Sequence, residues 1–428
     1  MISSPSGARH IVTAFAISLA VITYIDRAAI NVSALYITKD LGLSTIQMGH
    51  AFAAFAWAYA LFEIPGGWLG DKIGPRRVLL RIVLWWSLFT AATGWAWSGM
   101  SLIAIRALFG AGEAGAFPNM TRMFTTWLPV RERERAQANL WLATRLTAAF
   151  TPVMVAFLIQ YVGWRRAFEI FGALGVIWAV LFYRWYRDVP AEHPAVNEAE
   201  LAMLPPARDT AIAAGGVPWA VIFSKPSVWL LSIQYMCLAY GWFFYINWLP
   251  TYLRTARGTT VTMSALLAGL PLLLGGAGCL VSAWLIPRLA RNFSSVVLAR
   301  RIVAVTGFVG ASICIFFFAG IEDPRRAMIV LGFAGFFNDF VMPAAWAGTM
   351  DIGGRYSGTV SGAMNMMGSV AGAISVTVVG YLLAWTSGNW TMTFYISAAI
   401  YFLGAICWLF LDSHTPIERQ GEAVRQAA

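Results

Sequence analysis

The chain has 428 residues, 59% of them hydrophobic and only 12% charged, with 30 Lys+Arg against 20 Asp+Glu for a formal net charge of +10. Soluble domains are near half apolar and a quarter charged, so an ordinary soluble enzyme or binding module is excluded in favour of a membrane protein. The excess of positive charge does not point to nucleic acid, because the basic residues collect in alternate connections between apolar runs.

A hydrocarbon core about 30 Å thick takes ~20 apolar residues per helix. Twelve runs of that kind follow in order: 11–32, 46–66, 78–99, 101–127, 137–160, 164–186, 228–252, 263–287, 296–320, 325–349, 357–385 and 390–411. The first carries Asp26 and Arg27, is too long for a signal peptide and lacks a small-residue cleavage site, so it reads as a span. Lys72, Arg76, Arg77 and Arg81 follow the second run; Arg131, Arg133 and Arg135 follow the fourth. Arg187, Arg208 and Lys225 follow the sixth, and Arg288, Arg291, Arg300 and Arg301 flank the gap after the eighth. The positive-inside rule then places these connections and both termini in the cytoplasm, with Arg165, Arg166, Arg254, Arg257, Arg325 and Arg326 as exceptions on the other side.

The longest polar interval, 187–226, divides the runs six and six. The expected organisation is a six-helix bundle over 1–186, a cytoplasmic linker over 187–226 and a second bundle over 227–428. "GWLGDKIGPRRVLLR" after the second run echoes "AWLIPRLARNFSSVVLAR" after the eighth, with Trp-Leu at 68–69 and 284–285, as in a parallel repeat. The fold class expected is an all-α integral membrane protein of twelve transmembrane helices in two six-helix bundles.

The sequence has no phosphate-cradling glycine loop, no nucleophile elbow and no metal-ligand spacing among its four His or its four Cys (Cys237, Cys279, Cys314, Cys407), so no enzyme, cofactor or metal is expected. What stands out is charge within the spans, which is costly and functional by default. Asp26 and Arg27 lie in the first run, Glu63 in the second, Arg106 and Glu113 in the fourth, and Arg145 near the start of the fifth; Asp339 and Asp351 lie in or near the tenth. Neighbours on a helix point about 100° apart, so Asp26 and Arg27 each need a partner elsewhere or a ligand. Arg106 and Glu113 are seven apart and share a face, about 10 Å apart along the axis. Tyr24, Tyr59, Asn247, Asn338, Asn365, Trp248 and Trp346 suit a ligand wall as well as they suit helix packing or an interfacial belt.

At these residues the chain resembles the major facilitator superfamily. "GGWLGDKIGPRR" at 66–77 is similar to its loop signature between spans 2 and 3, and "RALFGAG" at 106–112 to its span 4 signature. Within that superfamily, Tyr24-Ile25-Asp26-Arg27, "FAWAYALFEIPGGWLGD", the Arg106–Glu113 spacing and Asn365 in a glycine-rich span resemble the anion:cation symporters, which include bacterial D-galactonate, hexuronate and glucarate proton symporters. The resemblance implies that Asp26 and Glu113 couple protons, that Arg27 and Arg106 serve coupling or anion recognition, and that Tyr24, Tyr59 and Asn365 lie near substrate. It implies a conformational latch, not a substrate site, at Asp71, Arg76 and Arg77. Glu63, where the sugar-acid members more usually have Gln, Arg145 and Asp339 depart from the family pattern.

The resulting expectation is a monomeric proton-coupled symporter of a bacterial inner membrane. It would import an organic carboxylate by alternating access, a sugar acid such as galactonate, glucarate or hexuronate first. Alternatives are an aromatic or dicarboxylic acid symporter, an organophosphate/phosphate exchanger, a drug-efflux antiporter and a non-transporting anion sensor. Arg145 is expected to take the substrate carboxylate, with Asn338, Trp346 and Asn365 on its polar body. The expected partners are a small organic anion, protons and membrane lipid, without nucleic acid.

Overall fold

A computed structural model describes residues 4–206 and 217–417. The chain folds as long helices: α1 (Ala8–Leu41), α2 (Thr45–Ile73), α3 (Pro75–Gly94), α4 (Gly99–Glu113), α5 (Ala116–Trp127) and α6 (Val130–Trp185), then α7 (Pro226–Asn247), α8 (Leu249–Thr255), α9 (Val261–Phe293), α10 (Val296–Phe318), α11 (Pro324–Gly353), α12 (Ser357–Trp385) and α13 (Thr391–Phe410). Local chemistry sets their starts. Ser44 and Gln47 form a capping box at α2, Ser98 and Ser101 another at α4, and Ser295 accepts from the Leu298 N–H at α10. Proline opens α3 and α7, where its missing N–H costs nothing.

Eight helical stretches of the described chain are long and apolar enough to cross a membrane. Two of them, Val130–Trp185 and Arg325–Trp385, are 56 and 61 residues long and so hold two crossings each. The first turns at Gly163 (φ 77°, ψ 161°), and the second at a short 3₁₀ segment, Gly354–Tyr356. α2 and α3, 29 and 20 residues long, complete the expected twelve.

Two runs expected to be continuous are broken. The fourth divides after Glu113, where Ala114 leaves the helical region and Gly115 takes φ 84°. A side chain on Gly115 would come within 2.6 Å of the Gly66 Cα, so this pair of glycines lets α2 touch the break backbone to backbone. The seventh run breaks at Trp248, before α8.

The chain forms two compact units: Met1–Val130 with Thr147–Val217 and Gly353–Ala363, and Arg131–Leu146 with Pro218–Ile352 and Met364–Ala428. The residues of α6 are thus divided between the units, as are those of α12. In the first unit Ile30, Ile37, Leu102, Ile159, Trp164 and Phe168 belong to one buried apolar cluster. In the second, Phe394 meets Phe244, Tyr252 and Phe318 ring to ring at 4.8–5.5 Å.

Candidate functional site

In the first unit the charged residues of α1 and α4 converge. Arg27 Nε lies 2.7 Å from Glu113 Oε1, and Glu113 is fully buried at the last residue of α4. The Arg27 guanidinium lies over the Tyr59 ring at 4.4 Å, with Phe55, Tyr24 and Phe117 at 5.7–5.9 Å. Tyr59 in turn faces Glu63, one turn further along α2. Tyr24 and Tyr59 therefore belong to the same cluster as Arg27 and Glu113.

Arg106 and Asp26 are equally buried, at 2% exposure each, but among the described residues neither makes an ion pair. Arg106 is held between apolar rings, 4.4 Å from the Phe109 centroid and 4.8 Å from that of Phe55. The charges that act on Asp26 are Glu113 and Arg106, and the donors facing it are Thr90 and Trp86 on α3. Among the described residues no hydrogen bond closes to either Asp26 oxygen, and the buried Trp86 indole N–H and Thr90 hydroxyl have no partner. Trp86 and Thr90 are additions to the expected site; an isolated polar atom in an apolar run carries no signal until its neighbours are known.

The second unit holds a different arrangement. Arg145 grips Asp339 with two N–H groups, Nε to Oδ2 at 2.6 Å and Nη2 to Oδ1 at 2.9 Å. Its guanidinium lies 3.6 Å from the Trp242 ring centroid and 5.5 Å from that of Trp141. Asn338 donates to Asp339 Oδ1 at 2.9 Å and accepts from the Tyr401 hydroxyl at 2.8 Å. Trp346 packs between Trp141 and Tyr235, 5.4 and 5.8 Å between centroids. Arg145, Asn338 and Trp346 are thus brought near one another, whereas Asn365 lies half-buried further along on α12.

The loop residues divide. Asp71 accepts from the N–H groups that open α12, Gly358 at 2.9 Å and Thr359 at 2.6 Å, and from the Thr359 hydroxyl at 2.7 Å. A carboxylate at a helix N-terminus satisfies donors that have no partner inside the helix. Its cationic neighbour is Arg122, 3.4 Å away and fully buried, a residue that nothing in the sequence singles out. Arg76 is engaged elsewhere: its side chain donates to the Tyr183 carbonyl at 3.1 and 2.7 Å and stacks on the Tyr183 ring. Its backbone N–H donates to Asp188 at 2.9 Å, and burial pushes the Asp188 carboxyl up to about 6, against the pull of that N–H and of Arg122. Arg77 is exposed.

A fourth group joins Asp351 to basic residues that show in the sequence only as loop charge. Arg300 is fully buried; it donates to Glu134 at 2.9 and 2.6 Å and to the Ser413 carbonyl at 2.7 Å, and pairs with Asp351 at 2.8 Å. Arg133 and the His414 ring also hold Asp351. Basic residues that read as solvated loop charge are here internal partners of acids. The "RERER" stretch carries a signal for this in its interleaved Glu134, while Arg300 carries none.

Comparison with known proteins accords with this architecture. The model of the Major Facilitator Superfamily matches residues 16–376. A probable sulfoacetate transporter of Cupriavidus necator is 36% identical over 427 residues, covering 98% of both chains. The D-galactonate transporter of Escherichia coli is 29% identical over 421 residues, covering 96% of both, and a chloroplastic ascorbate transporter of Arabidopsis thaliana is 30% identical over 94% of this chain and 74% of its own. Among solved structures, the proton:xylose symporter XylE superposes with a TM-score of 0.78 over 97% of this chain and 99% of its own at 13% identity, a likeness of fold. The protein is a multi-pass membrane transporter, not an enzyme: it belongs to the Major Facilitator Superfamily and, within it, to the anion:cation symporters.

Proposed function

We propose that the protein is a proton-coupled symporter that brings a small organic anion across a bacterial inner membrane by alternating access. The observation that carries this reading is the first unit's cluster: Arg27 with Glu113 and Arg106 with Asp26, all in membrane-spanning helices, one pair closed and the other open, with Glu63 beyond Tyr59. Ionised groups of this kind cost several kcal/mol each to bury, and a fully neutralised pair would be the less costly structural solution. A proton delivered to Glu113 removes the negative charge that holds Arg27. Arg27 and Arg106 then present two guanidinium groups that an oxyanion can occupy, bidentate on either. Asp26, with Trp86 and Thr90 poised around it, is the second proton site. Anion and protons entering together keep the buried charge near balance, which lets the loaded protein change its access.

The relatives favour one substrate class over the others. Sulfoacetate is a two-carbon acid with a sulfonate and a carboxylate, and the relative named a probable sulfoacetate transporter is 36% identical to this chain against 29% for the D-galactonate transporter. A short doubly anionic acid is therefore placed ahead of the sugar acid expected from sequence, which is the second reading. Uptake of labelled sulfoacetate, D-galactonate, D-glucarate and ascorbate into proteoliposomes, with and without an inward proton gradient, tests both. One acid should accumulate only with the gradient, and Glu113→Gln should abolish accumulation while sparing exchange of that acid across the membrane. Uptake of every acid that ignores the gradient would refute proton coupling.

A further inference from the structure

The Arg145–Asp339 pair is not used by this mechanism, and its geometry has more to say. Asp339 meets Arg145 side-on, each of its two oxygens accepting one guanidinium N–H. That is the geometry in which arginine takes a free carboxylate or a sulfonate. The rest of the setting is built for the oxyanion. Asn338 donates a third hydrogen bond to it and is itself oriented by Tyr401. α9 passes the carboxylate at Gly275, where a Cβ would fall 2.4 Å from Asp339 Oδ2. Trp242 closes one face of the guanidinium at 3.6 Å.

We propose that Asp339 is an internal stand-in for the anionic group of the substrate, and that Arg145 exchanges it for that group when Asp339 takes up a proton. This rests on the symport reading and adds to it a third proton site and a second anion site. The exchange balances. Before it, Arg145 and ionised Asp339 sum to zero; after it, Arg145, neutral Asp339 and one anionic group again sum to zero. One proton has gone to a carboxylate oxygen and no bond other than O–H has formed. The buried positive charge is never left alone, which is the arrangement that would cost most.

Among the described residues, the titratable groups facing Asp339 are Arg145 on α6, Tyr245 on α7, Cys279 on α9 and Tyr401 on α13. Arg145 is the charged one. Its charge is permanent in proteins, so the proton in the exchange belongs to Asp339.

The test isolates Asp339 from Asp26 and Glu113, the two proton sites proposed in the first unit. Binding of whichever of sulfoacetate, D-galactonate, D-glucarate or ascorbate the wild type takes up is measured in detergent from pH 5 to 8, on Asp26→Asn/Glu113→Gln and on the same protein with Asp339→Asn added. The double variant should still bind up to tenfold more weakly per unit rise in pH, the slope set by one proton. Adding Asp339→Asn should flatten that slope while binding persists, and Arg145→Ala should weaken binding at least tenfold at every pH. A flat profile in the double variant, or a slope that survives Asp339→Asn, overturns the proposal and leaves the symport reading standing. No gradient-driven uptake in wild type would sink both. Should Asp339→Asn fail to fold, the slope of the double variant with Glu63→Gln added decides, because the first unit's cluster then holds no ionisable carboxyl and a purely structural pair gives none.

Discussion

Arg27 and Arg106 show how much a single contact distinguishes two residues of the same type. Arg27 has a carboxylate 2.7 Å away, whereas Arg106 is held by the faces of Phe55 and Phe109. A guanidinium is planar and weakly hydrated, so it suits such a sandwich; an ammonium is compact and strongly hydrated, and loses more on leaving water. Arg106→Lys is therefore expected to keep the formal charge and still lower anion affinity about tenfold, the equivalent of ~1.4 kcal/mol. Equilibrium binding of the transported acid at pH 5 would check this, and unchanged affinity would mean that only the charge matters at position 106. The sequence made these residues conspicuous because charge inside an apolar run is rare. It could not pair them, since Glu113 and Arg27 are 86 positions apart, and Arg145 and Asp339 are 194 apart.

At the scale of elements, hydropathy located the crossings well but not their interruptions. The break after Glu113 falls in a run whose composition reads as helix throughout, and only the approach of Gly66 makes it necessary. The consequence is measurable by comparing two glycines with similar backbone angles. Gly42 (φ 62°) has nothing within 4 Å of where a side chain would stand, while Gly115 (φ 84°) has the Gly66 backbone at 2.6 Å. Gly42→Ala is expected to cost about 1 kcal/mol, the left-handed backbone penalty alone. Gly115→Ala adds overpacking of about 1–3 kcal/mol. Thermal unfolding in detergent should rank Gly115→Ala well below Gly42→Ala, and equal losses would deny the close approach. α12 offers the complementary case: the acceptor for the Gly358 N–H at its start is Asp71, 287 positions away.

For the whole molecule, the connecting segments are tied down by specific groups. Glu200 in the linker accepts from the Gly7 N–H at 2.7 Å and pairs with Arg9 at 2.9 Å, and Asp188 holds the start of α3 through Arg76. Asp188 has a pH signature. Its carboxyl is raised to about 6 by burial, above the ~3.9 of an unfolded chain. The folded state therefore holds the proton more tightly, and this stabilisation is complete below pH ~4 and lost as the pH rises through 6. Asp188→Asn keeps an oxygen for the Arg76 N–H and cannot ionise. It should raise the melting temperature at pH 7.5 by on the order of 2 °C and have no effect at pH 4. A gain of the same size at both pH values would deny the charge a part in it. Finally, the buried cations are arginines: Arg9, Arg106, Arg122, Arg133, Arg145 and Arg300, together with half-buried Arg27. The three lysines, Lys39, Lys72 and Lys225, lie at or beyond helix ends. Arginine does not deprotonate over any pH a cell meets. The charge of these arginines is thus a constant, and none of them shapes the pH profile of the transport cycle.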